Sequence, residues 1–379
     1  MGTLSAPQTA SARTGTEHRI HWKQLWSLAA LYASIIVGWI AYQNYQPRLL
    51  VQFNFTGFTF LLMVAQGVIL VATPLIAGKL GDRYRFEKGH RLPIISSGIS
   101  FAAMIFMAVA FTLIGNPGEV FRWVLPVLIV LWLIAMSIFT SPALSTMELF
   151  TPVDRLPRAM AVLTIVGNLV YSLEPVIVDI IDYLGAPITF IAGGVAVFLS
   201  GYALKKNSLG LFKLTGNRES SNSGKEIQKS PYAFIFFLGL SAGVATTLLF
   251  YLFPALLGDR LGSVLYPDGN VLVAGILFLS AVFSWPVSNM VNRYGMVPIF
   301  WLSLAFIAVS SLGIYLSASA AMVLLFALIF AVMYTSLSIA SLPLAIRRAA
   351  FSEKVFCVGI FFSGAALPEG FCEAYLAFG

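Results

Sequence analysis

The sequence contains little charge. Asp, Glu, Lys and Arg make up 10% of its 379 residues, whereas apolar residues make up 59%. An average soluble domain is about 25% charged and about 45–50% apolar. This scarcity of charge excludes a soluble globular protein and directs attention to apolar runs long enough to cross a membrane, which need about 20 residues each.

Other absences narrow the chemistry. The sequence has no glycine-rich phosphate loop of the Walker type, so ATP is not the expected energy source. It has no His, Cys or Met set at ligand spacing and no nucleophile beside a base. We therefore expect no enzyme activity, no catalytic residues, no metal site and no cofactor.

Eleven apolar stretches are long enough for spanning helices. They are about twice the length of a barrel strand and do not alternate in polarity, which favours an all-α polytopic membrane protein. The predicted spans run over 25–46, 58–78, 92–114, 123–146, 159–181, 187–204, 232–254, 271–291, 297–317, 320–343 and 355–377.

The basic residues fall mainly in alternate connections. With the amino terminus in the cytoplasm, 20 of the 23 Lys and Arg lie on the cytoplasmic side, and only Arg48, Arg122 and Arg260 lie outside. Such a bias sets the orientation of membrane proteins. The net charge of +7 is therefore interpreted as a topology signal, and we expect a multi-pass protein of the plasma or inner membrane with lipid, not nucleic acid, as its partner.

A polar segment divides the chain into two related halves. The predicted units are a cytoplasmic tail at 1–24, a six-helix bundle at 25–204, a flexible cytoplasmic linker at 205–230 and a five-helix bundle at 231–379. The run from Gly78 to Tyr84 after the second span has a decayed counterpart, from Ser288 to Gly295, after the eighth. This correspondence indicates an internal repeat.

Two parallel helical repeats joined by a cytoplasmic linker are the arrangement of major facilitator transporters, and Gly78-x-x-x-Asp82-Arg83 resembles the loop motif of that superfamily. Five residues separate Arg83 from Gly89, and Pro93 follows four residues later, a spacing similar to that of glycoside/pentoside/hexuronide cation symporters and plant-type sucrose transporters. The resemblance implies a major facilitator fold of two pseudo-symmetric bundles. A twelfth span of the repeat is apparently missing, which predicts a shortened member or an incomplete chain.

The loop motif predicts a gate on the cytoplasmic side. Asp82 stands where it can accept hydrogen bonds from the free N–H groups at the start of the eleventh span. The arginines of the motif either pair with Glu148 or Asp154 or face water and anionic lipid. The predicted gating residues are Gly78, Asp82, Arg83, Gly89 and Arg91.

Four carboxylates lie within predicted spans, and an ionisable group inside a membrane indicates function by default. Glu174 and Glu369 each stand beside a proline, with no Lys, Arg or His deep in a span to neutralise them. Because burial favours the protonated acid, both are candidates for proton coupling. The alternatives are hydration at an outer vestibule or a structural hydrogen bond. Asp179 and Glu373 are expected at the membrane interface. Since Glu174 replaces the glycine of an antiporter Gly-Pro signature, drug/proton antiport is disfavoured.

The substrate path is expected between the halves, lined by spans one, four, seven and ten if the resemblance holds. Aromatic faces combined with amides and hydroxyls suit a neutral, hydroxyl-rich solute. Ser and Thr in spans also serve helix packing, so they are weaker candidates. The predicted substrate-binding residues are Tyr42, Gln43, Arg48, Gln66, Asn168, Tyr251 and Tyr334, with Arg48 as an anion anchor.

The sequence thus favours a secondary active transporter that works by alternating access. The partners would be a small polar solute, sugar-like by preference, together with protons or another cation moving in symport. Two alternatives stay open: a facilitator-fold scaffold or assembly factor without net transport, and an exporter of amphipathic compounds.

Overall fold

The fold is a bundle of long helices. A computed structural model describes residues 19–52, 59–115, 124–219, 229–265 and 268–378, and these ranges contain no β-strand. Most of the predicted tail, residues 1–18, lies outside the described residues, as does Arg122. The first helix already begins at Trp22.

The amino-terminal half contains α1 to α8 and the carboxyl-terminal half α9 to α14. The first eight helices are α1 (Trp22–Gln52), α2 (Thr59–Lys88), α3 (Leu92–Ile114), α4 (Val124–Ser145), the single turn α5 (Met147–Phe150), α6 (Leu156–Ser172), α7 (Glu174–Leu184) and α8 (Ala186–Glu219). The remaining six are α9 (Tyr232–Thr247), α10 (Phe253–Leu265), α11 (Gly269–Tyr294), α12 (Met296–Leu316), α13 (Ala320–Arg348) and α14 (Lys354–Phe378).

Length and hydropathy confirm the predicted number of spans. Among the described residues, ten helices are long and apolar enough to cross a membrane, or eleven if one bent pair counts as a single span. Rings such as those of Phe106 and Trp132 fill the core of the first half, and Phe300 and Phe330 that of the second. Many outward-facing apolar side chains remain exposed, as expected for helices surrounded by lipid.

The fifth span is broken at Pro175. Helices α6 and α7 meet there at an angle of 58°. A proline lacks the N–H that would bond the carbonyl four residues earlier, and its ring clashes with that carbonyl. Glu174, just before the proline, begins α7, where a carboxylate is favourable beside the free N–H groups. The break therefore presents an acid at the start of a new helix.

The seventh span changes its winding before a second proline. Between α9 and α10 the chain forms a π-helical segment, Leu248–Leu252. Pro254 follows at once, and because it cannot donate to the carbonyl of Phe250 the regular ladder is interrupted there. Wider turns of this kind occur often at functional sites. Here the segment positions Tyr251.

The predicted linker is partly helical, which corrects the expectation of a flexible segment starting at 205. Helix α8 continues to Glu219 because apolar residues follow the two lysines. Phe212 is 2% exposed and packs against Phe150, with ring centroids 6.3 Å apart. Asn207 Nδ2 donates to Ser27 Oγ at 2.7 Å. Residues 220–228 lie outside the described residues.

The two halves pack mainly through α2 against α14 and through α6 against α11. We call the end of the bundle where α1 begins and α2 ends, near Trp22 and Lys88, the basic end. The other end, which carries Asp179 and Asp268, is the opposite end. Because successive spans alternate in direction, α14 begins at the basic end beside the last turns of α2.

Candidate functional site

Two adjoining cavities lie between the halves. The central cavity has a volume of about 330 Å³. The outer cavity, of about 770 Å³, extends to Asp179 and Asp268 at the opposite end. Volumes of this order are typical of small-molecule sites. The residues that line both cavities are Gln43, Tyr171, Thr246, Phe250 and Glu369.

The wall of the central cavity is rich in aromatic rings. Tyr32 and Trp39 come from α1, Tyr171 from α6 and Tyr334 from α13. The Tyr334 hydroxyl lies 3.3 Å from Thr246 Oγ1, which belongs to α9. Such rings offer flat apolar faces to a ligand while their hydroxyls remain available at the edge.

Three polar atoms on this wall have no hydrogen-bond partner in the part of the chain that the structure describes. They are Ser141 Oγ, Thr164 Oγ1 and Asn168 Nδ2, on residues that are 1%, 5% and 7% exposed. Buried polar groups are nearly always hydrogen-bonded in folded proteins, to protein or to ordered water. A cluster of unsatisfied groups on one cavity wall therefore suits a ligand that supplies hydrogen bonds.

A hydrogen-bond network links the halves near the outer cavity. Gln66 Nε2 on α2 donates to Glu373 Oε2 on α14 at 2.6 Å. The Tyr251 hydroxyl donates to Glu373 Oε1 at 2.8 Å. Gln66 Oε1 accepts from the Tyr42 hydroxyl at 2.7 Å and from Gln46 Nε2 at 3.1 Å. Both oxygens of Glu373 thus receive a donor, one from each half.

The two coupling candidates occupy different positions. Glu369 lines both cavities, and the Tyr251 hydroxyl approaches its Oε1 at 3.5 Å. Glu174 lines only the outer cavity, at the break before α7. The structure therefore brings Glu369 to the junction of the cavities and leaves Glu174 nearer to the opposite end.

Most predicted substrate residues face a cavity. The central cavity is lined by Gln43, Gln66, Asn168 and Tyr334, and the outer cavity by Gln43 and Tyr251. Tyr42 lies behind this wall, because its ring stacks on Trp132 with centroids 4.5 Å apart and its hydroxyl bonds Gln66.

Arg48 has a partner of its own. Its guanidinium makes two hydrogen bonds to Asp182, at 2.6 and 3.1 Å, and Asn44 Nδ2 donates to the same carboxylate at 3.0 Å. The two side chains are 54% and 39% exposed. This engagement at the surface departs from the expected anion anchor in the substrate path.

At the basic end Asp82 contacts the start of α14. Its carboxylate accepts from the backbone N–H groups of Val355 at 3.1 Å and Phe356 at 2.8 Å. Gly78, one turn earlier, permits the approach, since a Cβ there would lie 2.7 Å from the Phe356 Cα. A carboxylate at a helix amino terminus in a partly buried setting contributes up to about 2 kcal/mol.

A buried charge cluster reinforces this contact. Glu148 accepts from Arg91 at 2.6 Å and lies 2.5 Å from Lys354 Nζ, which comes from the other half. Arg91 also donates to Ser145 Oγ at 2.6 Å. Arg85 donates to the carbonyl of Phe351 at 3.0 Å, again across the halves. The Arg91 and Glu148 side chains are only 1% and 4% exposed.

The remaining motif residues have other surroundings. Arg83 is 71% exposed and pairs with Glu87 on its own helix, so it lies apart from the cluster. Gly89 has a φ of 74° in the turn between α2 and α3, a conformation that favours glycine.

Glu373 was expected at the membrane interface, but it lines the outer cavity and bonds both halves. The available signal was spacing, because Glu369 and Glu373 are four residues apart and share one face of a helix. Among the described residues no group of three His, Cys, Asp or Glu side chains is arranged to hold a metal ion.

The bundle of paired halves around a central cavity is the architecture of a membrane transporter. Residues 28–370 match the model of the Major Facilitator Superfamily, and the chain belongs to that family of transporters. It is accordingly a multi-pass integral membrane protein. A search of curated proteins found no match.

Solved structures of the same fold cover nearly the whole chain. The human organic anion transporter MFSD10 (TETRAN) is 12% identical, with a TM-score of 0.64 over 94% of this chain and 93% of that one. The proton:xylose symporter XylE, bound to 6-bromo-6-deoxy-D-glucose, is also 12% identical, with a TM-score of 0.63 over 94% of this chain and 89% of that one. At this identity the likeness establishes the fold alone.

Proposed function

We propose that this protein is a secondary active transporter that moves a small, hydroxyl-bearing polar solute by alternating access in symport with protons. Its basic end would face the cytoplasm, in agreement with the distribution of Lys and Arg, and its location would be a plasma or inner membrane. The solute would bind in the central cavity.

One observation carries the proposal. The central cavity between the halves combines three unpartnered buried polar atoms with the carboxylate of Glu369, which also borders the outer cavity. A ligand in the central cavity would satisfy the polar atoms. Glu369 would take up a proton from the outer cavity, so one position would serve both the solute and the coupling ion.

The contacts at the basic end support alternating access. Asp82 of α2 accepts two hydrogen bonds from the start of α14, and Lys354 of α14 pairs with Glu148 of α5. These contacts hold α2 and α5, of the first half, against α14 of the second. Breaking these contacts would open the central cavity toward the cytoplasm. The gating role of Asp82 and Arg91 is part of this proposal.

The test is uptake into proteoliposomes from a panel of labelled sugars, polyols, amines, amino acids and organic acids, with and without an imposed pH gradient. We expect at least one solute to accumulate only when the outer side is acidic. In Glu369→Gln the accumulation should disappear, whereas exchange of labelled for unlabelled solute should persist, because exchange needs no net proton movement.

Glu87→Gln provides the matched control. It makes the same change in a carboxylate that is 51% exposed, and it should leave both accumulation and exchange intact. If no solute in the panel enters, or if Glu369→Gln still accumulates solute, the proposal fails. A complete lack of uptake would favour the scaffold alternative.

A further inference from the structure

The outer cavity is acidic, and one of its acids, Glu369, also lines the central cavity. Five carboxylic acids line the two cavities, and no Lys, Arg or His is among the described residues of either wall. Three of the acids, Glu174, Glu369 and Glu373, surround the inner part, and Asp179 and Asp268 stand at the entrance. A cleft lined by charge of one sign concentrates solutes of the opposite sign.

The two basic residues that the structure describes at this end, Arg48 and Arg260, are engaged elsewhere. Arg48 is paired with Asp182 through two hydrogen bonds. Arg260 donates to the carbonyl of Tyr315 at 3.1 Å and lies 4.0 Å from Asp259. Neither arginine lines a cavity, so neither is placed to neutralise the carboxylates of the wall.

The inner part of the site adds features suited to a cation with polar groups. The rings of Tyr171 and Phe250 face both cavities, and aromatic faces attract ammonium groups. Beyond them Thr164 Oγ1 and Asn168 Nδ2 lack partners, although both residues are more than nine-tenths buried. The amide Nδ2 is a donor and requires an acceptor such as a hydroxyl or carbonyl oxygen.

We infer that the transported solute is an organic cation, a protonated amine that also carries oxygen atoms for hydrogen bonding. This inference rests on the proposed transport function and specifies its substrate class. The ammonium group would lie among the carboxylates and rings at the junction of the cavities, and the oxygen atoms would reach Asn168 and Thr164.

An ammonium group and a coupling proton can occupy this site together. Glu373 already receives donors on both oxygens, from Gln66 and Tyr251. Glu369 has only the 3.5 Å approach of Tyr251 among its described hydrogen bonds, so it is available to a proton. Glu174 is then the carboxylate that would pair with the ammonium group. Three acids of the outer cavity, of which Glu369 stands at the junction, therefore accommodate both positive charges.

Ligands matched in shape but different in charge test the inference. One set is D-glucosamine, D-glucose and D-glucuronate, and a second is tyramine, 4-ethylphenol and 4-hydroxyphenylacetate. Binding is measured on the purified full chain in detergent as an increase in Tm with ligand concentration. We expect at least one amine to bind about tenfold more tightly than both of its counterparts.

The preference should weaken with salt, since the screening length falls from about 30 Å at about 0.01 M to about 3 Å at about 1 M. If neither amine binds more tightly than its neutral and anionic counterparts, the inference is wrong. Proton-driven uptake of glucose would then still support transport, whereas an amine that binds but never enters liposomes would support the site and contradict transport.

Variants separate the site from nonspecific attraction. The double variant Asp179→Asn/Asp268→Asn changes two entrance acids and should reduce the amine preference about threefold at low salt. Glu174→Gln should reduce it further, about tenfold. Asp259→Asn is the control, because that carboxylate is 80% exposed at the same end and outside the cavity walls. Equal reductions in all three variants would overturn the inference.

Discussion

The two ends of the bundle differ in the partners of their acidic side chains. At the basic end Glu148 is buried among Arg91, Lys354 and, at 4.0 Å, Arg85. At the opposite end Glu369 and Glu373 face uncharged partners, a tyrosine and a glutamine. The buried acid of the basic end is compensated by cations, whereas Glu369 and Glu373 have no cationic partner among the described residues.

This difference indicates how the two ends contribute. Removing one member of a buried ion cluster leaves an uncompensated charge and costs several kcal/mol. Such a contact is strong, and its charges return to water only when the whole cluster separates. Carboxylates held by neutral donors respond instead to a proton or a cationic ligand. In the proposed transport cycle the basic end would act as the closure, and the acids of the opposite end would receive the proton and the solute.

The largest expected effect comes from Arg91→Met. The change deprives buried Glu148 of its closest arginine and should lower the free energy of unfolding by about 3 kcal/mol. Thermal unfolding of the purified protein measures it. Arg83→Met, a change in an exposed arginine of the same motif, should cost less than about 0.5 kcal/mol. Equal losses would remove the distinction between the two arginines.

Asp82→Asn should come next. The neutral side chain keeps an acceptor but loses its attraction to the amino terminus of α14, about 1–2 kcal/mol. We expect the basic end to open about tenfold more often, measured as faster labelling of Ser341→Cys, on the wall of the central cavity, in a chain without Cys357 and Cys372.

The control for this measurement is Asp154→Asn. That carboxylate is 70% exposed at the same end and pairs only weakly with its neighbour Arg155, at 4.0 Å. Its replacement should leave the labelling rate unchanged. Labelling of Ser341→Cys that does not accelerate in Asp82→Asn would show that Asp82 does not hold the basic end closed.

An effect of the same order is expected at the opposite end, from the pair Gln66 and Glu373. A double-mutant cycle of Gln66→Ala and Glu373→Ala should give a coupling energy of about 1.5 kcal/mol, typical of a hydrogen bond to a charged group. Thermal unfolding is again the measurement. Gln43→Ala should show no coupling to Glu373. A coupling near zero for Gln66 would mean that the 2.6 Å contact does not join the halves.

The smallest effect should follow Arg48→Gln. The exposed pair with Asp182 contributes about 0.5 kcal/mol to stability, and uptake should not change. Parallel unfolding and proteoliposome measurements test both parts. A loss of uptake without a loss of stability would return Arg48 to the substrate path and weaken the contrast between the two ends.

The number and type of spans could be predicted because they depend on apolar length alone. The break at Pro175 could not be located, since spanning helices tolerate proline whenever neighbouring helices satisfy the freed backbone groups. The extension of α8 beyond Lys206 was missed for a related reason. The segment is polar on average, yet it contains a few apolar residues, such as Phe212, that are buried and extend the helix.

The site was harder to predict than the fold. Arg83 and Arg91 belong to one motif, yet one is 71% and the other 1% exposed, and only tertiary packing distinguishes them. Gln66 and Asn168 were predicted as buried amides inside spans, and both line the central cavity. Tyr42 was predicted on the wall of the substrate path, but it lies one layer behind that wall, because a helix position does not show what stands in front of it.

The close crossing of α2 and α14 has a mechanical consequence. A Cβ at Gly67 would lie 3.4 Å from the Gly370 Cα, so the two backbones nearly touch beside the bond between Gln66 and Glu373. Asp82 is fifteen residues further along α2, about 22 Å away. A tilt of about 10° at the crossing would displace Asp82 by about 4 Å. The close approach continues toward Asp82, because Gly359 lies against Pro74 and Gly78 against Phe356. Separating the halves at the basic end therefore requires the whole length of this contact to open, and not the Asp82 hydrogen bonds alone.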